Sequence, residues 1–162
     1  MFTLLRIVLI GAILTLSGCA SGRVYKVESA SMQPNFYVGQ YVTVIPLDDQ
    51  PLQRGEPIVF QSPADPEEAH LKRVIGLPGE TVRIDGAKLW IDGEALDEPY
   101  SVTAMMEGYQ LEVTLQAGEY FVLGDDRPNS HDSRRMGPIP AELIVGRVKI
   151  TAWNRLFNSK RD

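Results

Sequence analysis

Short apolar segments separated by turn residues are the feature that most limits what this chain can fold into. Ile84-Asp85-Gly86 and Ile91-Asp92-Gly93 each place Asp-Gly after a strand-like run, which is a strong β-hairpin signal. Pro78-Gly79 separates two further apolar runs. Few windows show the 3.6-residue apolar period of a helix. The sequence therefore predicts a mostly β protein built from several short antiparallel sheets.

The predicted strands are a few residues long and rich in β-branched or aromatic side chains. Outside the N-terminus, a helical period is suggested only by residues 141–144. The predicted strands cover residues 41–45, 57–60, 71–77, 81–84, 89–91, 113–115, 120–123 and 145–153.

Composition limits the class of protein. Hydrophobic residues make up 44% of the 162 residues, which is enough for an ordinary core. The net charge of −5 comes without a basic stripe, so we expect no nucleic-acid binding. Beyond residue 19 there is no second apolar stretch long enough to span a membrane. We expect residues 1–19 to be a signal or anchor segment and residues 20–162 to be a single β-rich domain.

The N-terminus indicates export. One cation, Arg6, precedes a continuous apolar run over residues 7–16, which fits the core of a secretory signal. The stretch 2–20 also approaches the length of a membrane anchor. Both interpretations put the remaining chain on the extracytoplasmic, periplasmic side of the inner membrane. Leu16-Ser17-Gly18-Cys19 resembles the lipobox of bacterial lipoproteins, which would make Cys19 a lipidation site.

Cys19 is the one cysteine of the chain, so no internal disulfide is available to stabilise the fold. The alternative, an ordinary apolar cysteine within an anchor helix, stays open.

A hydroxyl-rich segment follows the leader: Glu28-Ser29-Ala30-Ser31-Met32-Gln33-Pro34. A serine just outside a membrane is a candidate for cutting a chain that is itself in the membrane, provided that a base is available. The sequence lacks the G-x-S-x-G and S-x-x-K motifs and a P-loop. Its two histidines are too few for a three-histidine metal site. We expect neither cofactor nor metal, and the base would be His70, His131 or a lysine.

Lys72 is a candidate base because apolar residues surround it over residues 70–79. Burial disfavours the ammonium form and lowers a lysine pKa, and the neighbouring Arg73 would act in the same direction. Side chains alternate along a strand, so one of Lys72 and Arg73 can face the core while the other meets solvent. A solvated basic pair on a strand is the alternative.

A third segment joins a predicted strand to a loop crowded with Asp, Arg, Ser and Asn over residues 118–134. Carboxylates and guanidinium groups this close usually form a charge-paired scaffold. Calcium binding by Asp125, Asp126 and Asp132 is a weaker alternative, because the EF-hand spacing and terminal glutamate are missing.

Taken in order, these segments resemble the sequence boxes of the bacterial type I signal peptidase family. Residues 29–34 resemble its S-x-S-M-x-P box, and residues 72–80 resemble its K-R-x-x-G-x-P-G-D box. Residues 124–134 resemble its G-D-N-R-x-x-S-x-D-S-R box. Residues 55–60 and 146–147 match two shorter boxes, so the resemblance covers most of the chain from Val27 to Val148.

The resemblance implies a membrane-associated serine endopeptidase with a serine–lysine dyad, which removes signal peptides from exported proteins by cleaving after A-x-A-like sequences. By match of motif, Ser31 is the nucleophile and Lys72 the general base, and the Ser29 hydroxyl and the Ser31 amide stabilise the oxyanion. By the same match, Ser130 hydrogen-bonds to Lys72 and orients it. The other implied residues either support the Ser130 loop by pairing (Asp132 with Arg134, Asp125 with Arg127) or line shallow substrate pockets (Val27, Met32, Phe36 and Leu71).

The chain departs from the family pattern at Asn35-Phe36, where threonine-leucine is usual, which puts the pocket size in doubt. Asp126 replaces an asparagine, and Glu56 and Glu80 replace aspartates. The lipobox-like leader admits a specialised pilin-processing, conjugation-associated peptidase. A self-cleaving relative of the repressor-cleavage enzymes and a non-catalytic peptide-binding lipoprotein are further alternatives. The exported leader is evidence against the self-cleaving relative. The intact serines and lysine are evidence against the non-catalytic lipoprotein.

Overall fold

The computed structural model describes residues 22–100, 102–104 and 108–149. The predicted leader, Cys19 and the end of the last predicted strand lie outside the described residues.

The described residues form a mostly β fold, as the sequence predicts. Two single-turn 3-10 helices, Arg127–Asn129 and Ala141–Leu143, and one short α-helix, α1 (Ser133–Met136), accompany the strands. The strands are β1 (Arg23–Lys26), β2 (Tyr41–Ile45), β3 (Pro57–Gln61), β4 (Ala69–Gly76), β5 (Thr81–Asp85), β6 (Lys88–Ile91), β7 (Glu94–Ala95), β8 (Gln110–Thr114), β9 (Glu119–Leu123), β10 (Ile139–Pro140) and β11 (Ile144–Val148).

The strands build two antiparallel sheets. The larger has the order β1-β2-β11-β3-β4-β9-β10, and the smaller has the order β7-β6-β5-β8. The two Asp-Gly signals are the turns after β5 and β6, where Gly86 and Gly93 have φ angles of +58° and +84°. Glycine adopts these left-handed angles without steric cost, which explains the sharp reversals. The predicted helical stretch 141–144 is only a 3-10 turn, because β11 begins at Ile144.

Hydrophobic clusters join these elements. One links the two sheets through residues such as Ile75, Val82 and Phe121. A second lies against β2 and contains Met32 and Phe36, which are 1% and 4% exposed. Because these two side chains are buried on either side of a turn, the segment that carries Ser31 is fixed to the larger sheet.

Candidate active site

The serine segment folds into a compact turn. The amide of Gln33 donates to the Ala30 carbonyl at 2.9 Å, and the amide of Phe36 donates to the Met32 carbonyl at 2.9 Å. The amide of Asp126 donates to the Ser31 carbonyl at 3.0 Å, which ties the turn to the loop after β9. Ser31 itself is 6% exposed.

Lys72 reaches this turn from β4. Its Nζ lies 2.9 Å from Ser31 Oγ and donates to the Leu71 carbonyl at 2.9 Å. β4 pairs with β3 from residue 69 to residue 73, whereas its pairing with β9 begins only at Arg73. One edge of β4 is therefore free at Lys72, which leaves room for the turn that carries Ser31.

The environment of Lys72 favours its neutral form. The side chain is 3% exposed, and burial lowers its pKa to about 8, because an ammonium group loses its hydration there. Carboxylates of Asp132, Asp125 and Glu68 act in the opposite direction. Near pH 8 about half of the molecules therefore hold an amine that can accept a proton, as a general base requires.

Neither Lys72 nor Arg73 meets solvent, so the expectation that one of the two would be exposed is wrong. Arg73 is 4% exposed, and its Nε donates to Asp125 Oδ1 at 2.7 Å. Its guanidinium carbon also lies 4.0 Å from the centre of the Tyr100 ring. Both faces of β4 are covered here, by Asp125 and Tyr100 on the side of Arg73 and by the turn that carries Ser31 on the side of Lys72, so the alternation of side chains leads to two buried environments. The alternative of a solvated basic pair is wrong for the same reason.

Ser29 and Ser31 are in contact. Their Oγ atoms lie 3.0 Å apart, and Ser29 is exposed while Ser31 is buried. The predicted oxyanion donor is thus next to the predicted nucleophile.

Asp132 and Arg134 pair as expected. Arg134 Nε donates to Asp132 Oδ1 at 2.8 Å, and Arg134 Nη2 donates to Oδ2 at 2.7 Å. Burial acts to raise the pKa of Asp132, but hydrogen bonds from Arg134 and the Gly124 amide outweigh it and hold the pKa below its usual value. The loop after β9 therefore contains a fully buried, ionised carboxylate that fixes its shape.

Asp125 and Arg127 do not pair with each other, contrary to the expectation. Asp125 pairs with Arg73, and Arg127 pairs with Glu98. Arg127 Nε also donates to the Gly124 carbonyl at 2.9 Å. Nothing in the sequence pattern pointed to Glu98, because it lies in an irregular segment whose approach to the loop is set by the tertiary fold.

Ser130 lies close to the serine turn but makes no hydrogen bond to Lys72, contrary to the expectation. It is 9% exposed, and its hydroxyl makes no hydrogen bond of normal geometry, although it is near enough to Asp132 to help lower that pKa. A Cβ on Gly124 would lie 2.2 Å from Ser130 Oγ and 2.5 Å from the Ser31 carbonyl oxygen. Glycine at position 124 is what allows the two segments to touch.

The Ser31–Lys72 pair opens into a cleft of about 890 Å³. Val27, Met32 and Leu71 contribute to its wall. Phe36 does not line the cleft, contrary to the expectation, because its ring is buried in the cluster beneath the turn.

Both histidines lie in the wall of the cleft, with ring centres 6.4 Å apart. Burial lowers the pKa of His70, and the charge of Lys72 adds to this effect. Among the hydrogen bonds of the described residues, the partner of Ser31 Oγ other than Ser29 is Lys72, not a histidine. Lysine is therefore the base that the geometry supports.

Among the described residues, no group of three or more histidine, cysteine, aspartate or glutamate side chains is arranged to hold a metal ion. Asp125 and Asp132, two of the three carboxylates weighed for calcium, are engaged by Arg73 and Arg134. The calcium alternative therefore has no support in this loop. In the same part of the chain, no helix is long and apolar enough to cross a membrane.

Comparison with known proteins gives consistent relatives. A family model described as "Signal peptidase, peptidase S26" matches residues 1–153. Signal peptidase I of Leptolyngbya laminosa is 38% identical over 141 residues, covering 80% of this chain and 69% of that protein. Probable signal peptidase I-2 of Synechocystis sp. is 33% identical over 135 residues, covering 78% of this chain and 61% of that protein. The chain thus spans about two thirds of the length of these relatives.

The fold has a solved counterpart. The crystal structure of a signal peptidase I from Enterococcus faecalis V583 matches with a TM-score of 0.55 and 34% sequence identity, covering 63% of this chain and 100% of that chain. Together with the sequence relatives, this match makes the protein a hydrolase of the serine peptidase class. Within that class, the chain belongs to the signal peptidase, peptidase S26 family.

Proposed function

We propose that Ser31 and Lys72 form a catalytic dyad that hydrolyses the peptide bond between a signal peptide and an exported protein. Removal of signal peptides is the function that membership of the family gives to the chain. The observation that supports the dyad is the 2.9 Å contact between Ser31 Oγ and a lysine amine that is 3% exposed.

The hydrogen bonds suggest how the reaction starts. A neutral Lys72 has one lone pair and two N–H groups, and one of these donates to the Leu71 carbonyl. The lone pair is then free to accept the Ser31 proton, which leaves Ser29 to donate its own proton to Ser31 Oγ across 3.0 Å. The contact with Lys72 increases the nucleophilicity of Ser31, and the Ser29 hydroxyl turns from Ser31 Oγ to the oxyanion once a substrate is bound.

Lys72 carries the proton of Ser31 to the leaving group as bonds form and break at the scissile carbonyl. Ser31 Oγ attacks the scissile carbonyl carbon while Lys72 takes the Ser31 proton. The oxyanion receives hydrogen bonds from the Ser29 hydroxyl and the Ser31 amide, a type of interaction worth about 3–4 kcal/mol per donor. Lys72 then gives its proton to the leaving amine, which departs as the N-terminus of the mature protein. Lys72 then takes a proton from a water molecule that attacks the ester on Ser31, and it returns this proton to Ser31 Oγ as the ester bond breaks.

The shape of the cleft favours substrates with small residues before the scissile bond. Its wall near the dyad includes the side chains of Val27, Met32 and Leu71, and two of these are nearly fully buried and offer only shallow apolar surface. We infer that A-x-A-like sequences fit here, and that Ser130, Asp132 and Arg134 fix the loop that faces Lys72.

Members of the family are generally membrane-anchored, with the catalytic domain outside the cytoplasm. We infer the same location for this chain, with residues 1–19 as the signal or anchor segment, residues 20–162 as the catalytic domain and Cys19 as the acylated residue. Mass spectrometry of the mature protein extracted from membranes tests the anchor. A diacylated N-terminal cysteine is expected, and a mature chain that still begins at Met1 contradicts lipidation.

The dyad is tested with purified protein and a fluorogenic A-x-A leader peptide. Ser31→Ala and Lys72→Met, which keeps the length of the buried side chain, should each reduce kcat by at least 10³-fold while circular dichroism remains unchanged. Lys88→Met, on an exposed position of β6, is the matched control and should keep full activity. Turnover by either dyad variant at the wild-type rate would contradict the assignment. If the unsubstituted protein binds the leader peptide but does not cleave it, the alternative of a non-catalytic peptide-binding module is supported.

A further inference from the structure

Asn35 joins the serine turn to a buried carboxylate in the loop after β9. Its Nδ2 donates to Asp125 Oδ2 at 2.9 Å, across 90 positions of sequence. An ionised carboxylate only accepts hydrogen bonds, so the amide nitrogen of Asn35 must face it. Asn35 lies four positions after Ser31, in the same turn.

Asp125 also holds the strand that carries the base. Its carboxylate is 0% exposed and receives two hydrogen bonds from the Arg73 guanidinium, at 2.7 Å and 2.5 Å. Arg73 directly follows Lys72 on β4. One carboxylate thus connects the turn that carries Ser31 with the strand that carries Lys72.

Asn35 has no part in the cleft wall. The cleft wall includes residues of β1, of the serine turn up to Met32, of the start of β4 and of the loop after β9, but not Asn35 or Phe36. The departure of Asn35-Phe36 from the family pattern therefore does not act on the size of a substrate pocket. The structural consequence of asparagine at position 35 is instead its hydrogen bond to Asp125.

We propose that Asn35 is a positioning residue whose hydrogen bond to Asp125 sets the separation of Ser31 Oγ and Lys72 Nζ. This inference rests on the proposed dyad. A proton moves directly between these atoms only at hydrogen-bond distance, which is 2.9 Å here. A displacement of about 1 Å from such a geometry can cost 10²-fold in rate. Without the Asn35 amide, the turn keeps its bond from Asp126 to the Ser31 carbonyl but loses its side-chain link to the base strand.

The test compares two variants of similar shape with a matched control. Asn35→Leu removes the donor without adding charge. Asn35→Asp keeps the shape and places a second carboxylate against Asp125. Gln110→Leu removes an exposed amide that donates to Asp85 at 3.4 Å in the smaller sheet, so it controls for the loss of an amide–carboxylate bond elsewhere.

We expect Asn35→Leu to lower kcat about tenfold with KM within twofold of wild type, because the substrate does not touch this residue. Rates are measured well below the unfolding temperature and expressed per folded molecule. In Asn35→Asp the added negative charge favours the ammonium form of Lys72, as Asp125, Asp132 and Glu68 already do, so the half-maximum of kcat/KM should move to higher pH. Gln110→Leu should keep kcat, KM and the pH profile.

Three outcomes would overturn the proposal: wild-type kcat per folded molecule in Asn35→Leu, a change confined to KM, or the same loss of kcat in Gln110→Leu. Each is distinguishable from failure of the dyad, since an active Ser31→Ala variant would remove the proposed function whatever Asn35 does.

Discussion

The close packing at Gly124 makes the substitution Gly124→Ala a sharp test of how the site is assembled. The added methyl group would lie 2.2 Å from Ser130 Oγ, 2.6 Å from Ser130 Cβ and 2.5 Å from the Ser31 carbonyl oxygen. Ordinary contacts of carbon atoms are about 3.5–4.0 Å, so the neighbours must move by about 1 Å. The Ser31 carbonyl belongs to the backbone of the nucleophile, and it cannot retreat without stretching the 2.9 Å contact with Lys72.

Two quantities should change. Overpacking of this kind typically costs about 1–3 kcal/mol of unfolding free energy. A shift of the nucleophile by about 1 Å should cost about 10²-fold in kcat. Gly124 is not among the glycines with positive φ, so the backbone accepts alanine and the effect comes from the collision alone.

Urea unfolding and turnover of an A-x-A leader peptide measure the two effects. Gly86→Ala is the matched control, because φ is +58° there and a Cβ would meet nothing within 4 Å. Left-handed strain should cost that variant about 1–2 kcal/mol of stability without any loss of kcat. If Gly124→Ala is folded and turns over at a rate within threefold of wild type, the steric reasoning is wrong. If both variants lose kcat in parallel, the loss reflects stability and not the position of Ser31.

Three further predictions follow from the site. The kcat/KM should rise with pH and reach half its maximum near pH 8, because only the deprotonated form of Lys72, whose pKa is about 8, is active. A stopped assay from pH 6 to 10 measures this dependence. A flat profile would exclude lysine as the base. Ser29→Ala should lower kcat about 10²-fold with little change in KM, since the donor acts on the oxyanion; equal effects on both constants would place Ser29 in substrate binding. Asp132 has a lowered pKa in the folded protein, so its contribution to stability is present at neutral pH and is lost as the pH falls below about 4. In Asp132→Asn, the unfolding free energy should therefore decline less steeply as the solution is acidified. A decline as steep as that of the wild type would contradict the role of the ion pair.

Local patterns in the sequence are enough to predict most of the strands. Alternation and turn dipeptides depend on neighbouring residues, so β2, β4 and the hairpins around Gly86 and Gly93 could be located without tertiary information. Ser31 and Lys72 were found through motif resemblance, and the structure brings them within hydrogen-bond distance across 41 positions.

Partners of the buried charges could not be predicted in this way. The strand pattern predicts that one of Lys72 and Arg73 is exposed, whereas both are buried. Asp125 is expected to pair with Arg127, whereas the fold joins Asp125 to Arg73 and Arg127 to Glu98. Several carboxylates and guanidinium groups of similar reach are close in sequence, so the choice among them depends on how the loop after β9 docks on β4. Short strands such as β1 and β10 were missed because their pairing depends on the rest of the sheet, not on their own pattern.

The ion pairs around Lys72 also bear on the pKa of this proposed base, in a chain whose net charge is −5. An unpaired carboxylate beside Lys72 would favour its ammonium form and raise its pKa toward that of an exposed lysine. Asp132 and Asp125, the two carboxylates with the largest such effects, are each bound to a guanidinium group, Arg134 and Arg73, so each pair presents little net charge to the amine. Burial then remains the dominant influence on the pKa. Replacing Arg73 by methionine would therefore do more than weaken the loop: it would expose Lys72 to the full charge of Asp125 and move the pH at which the enzyme becomes active upward.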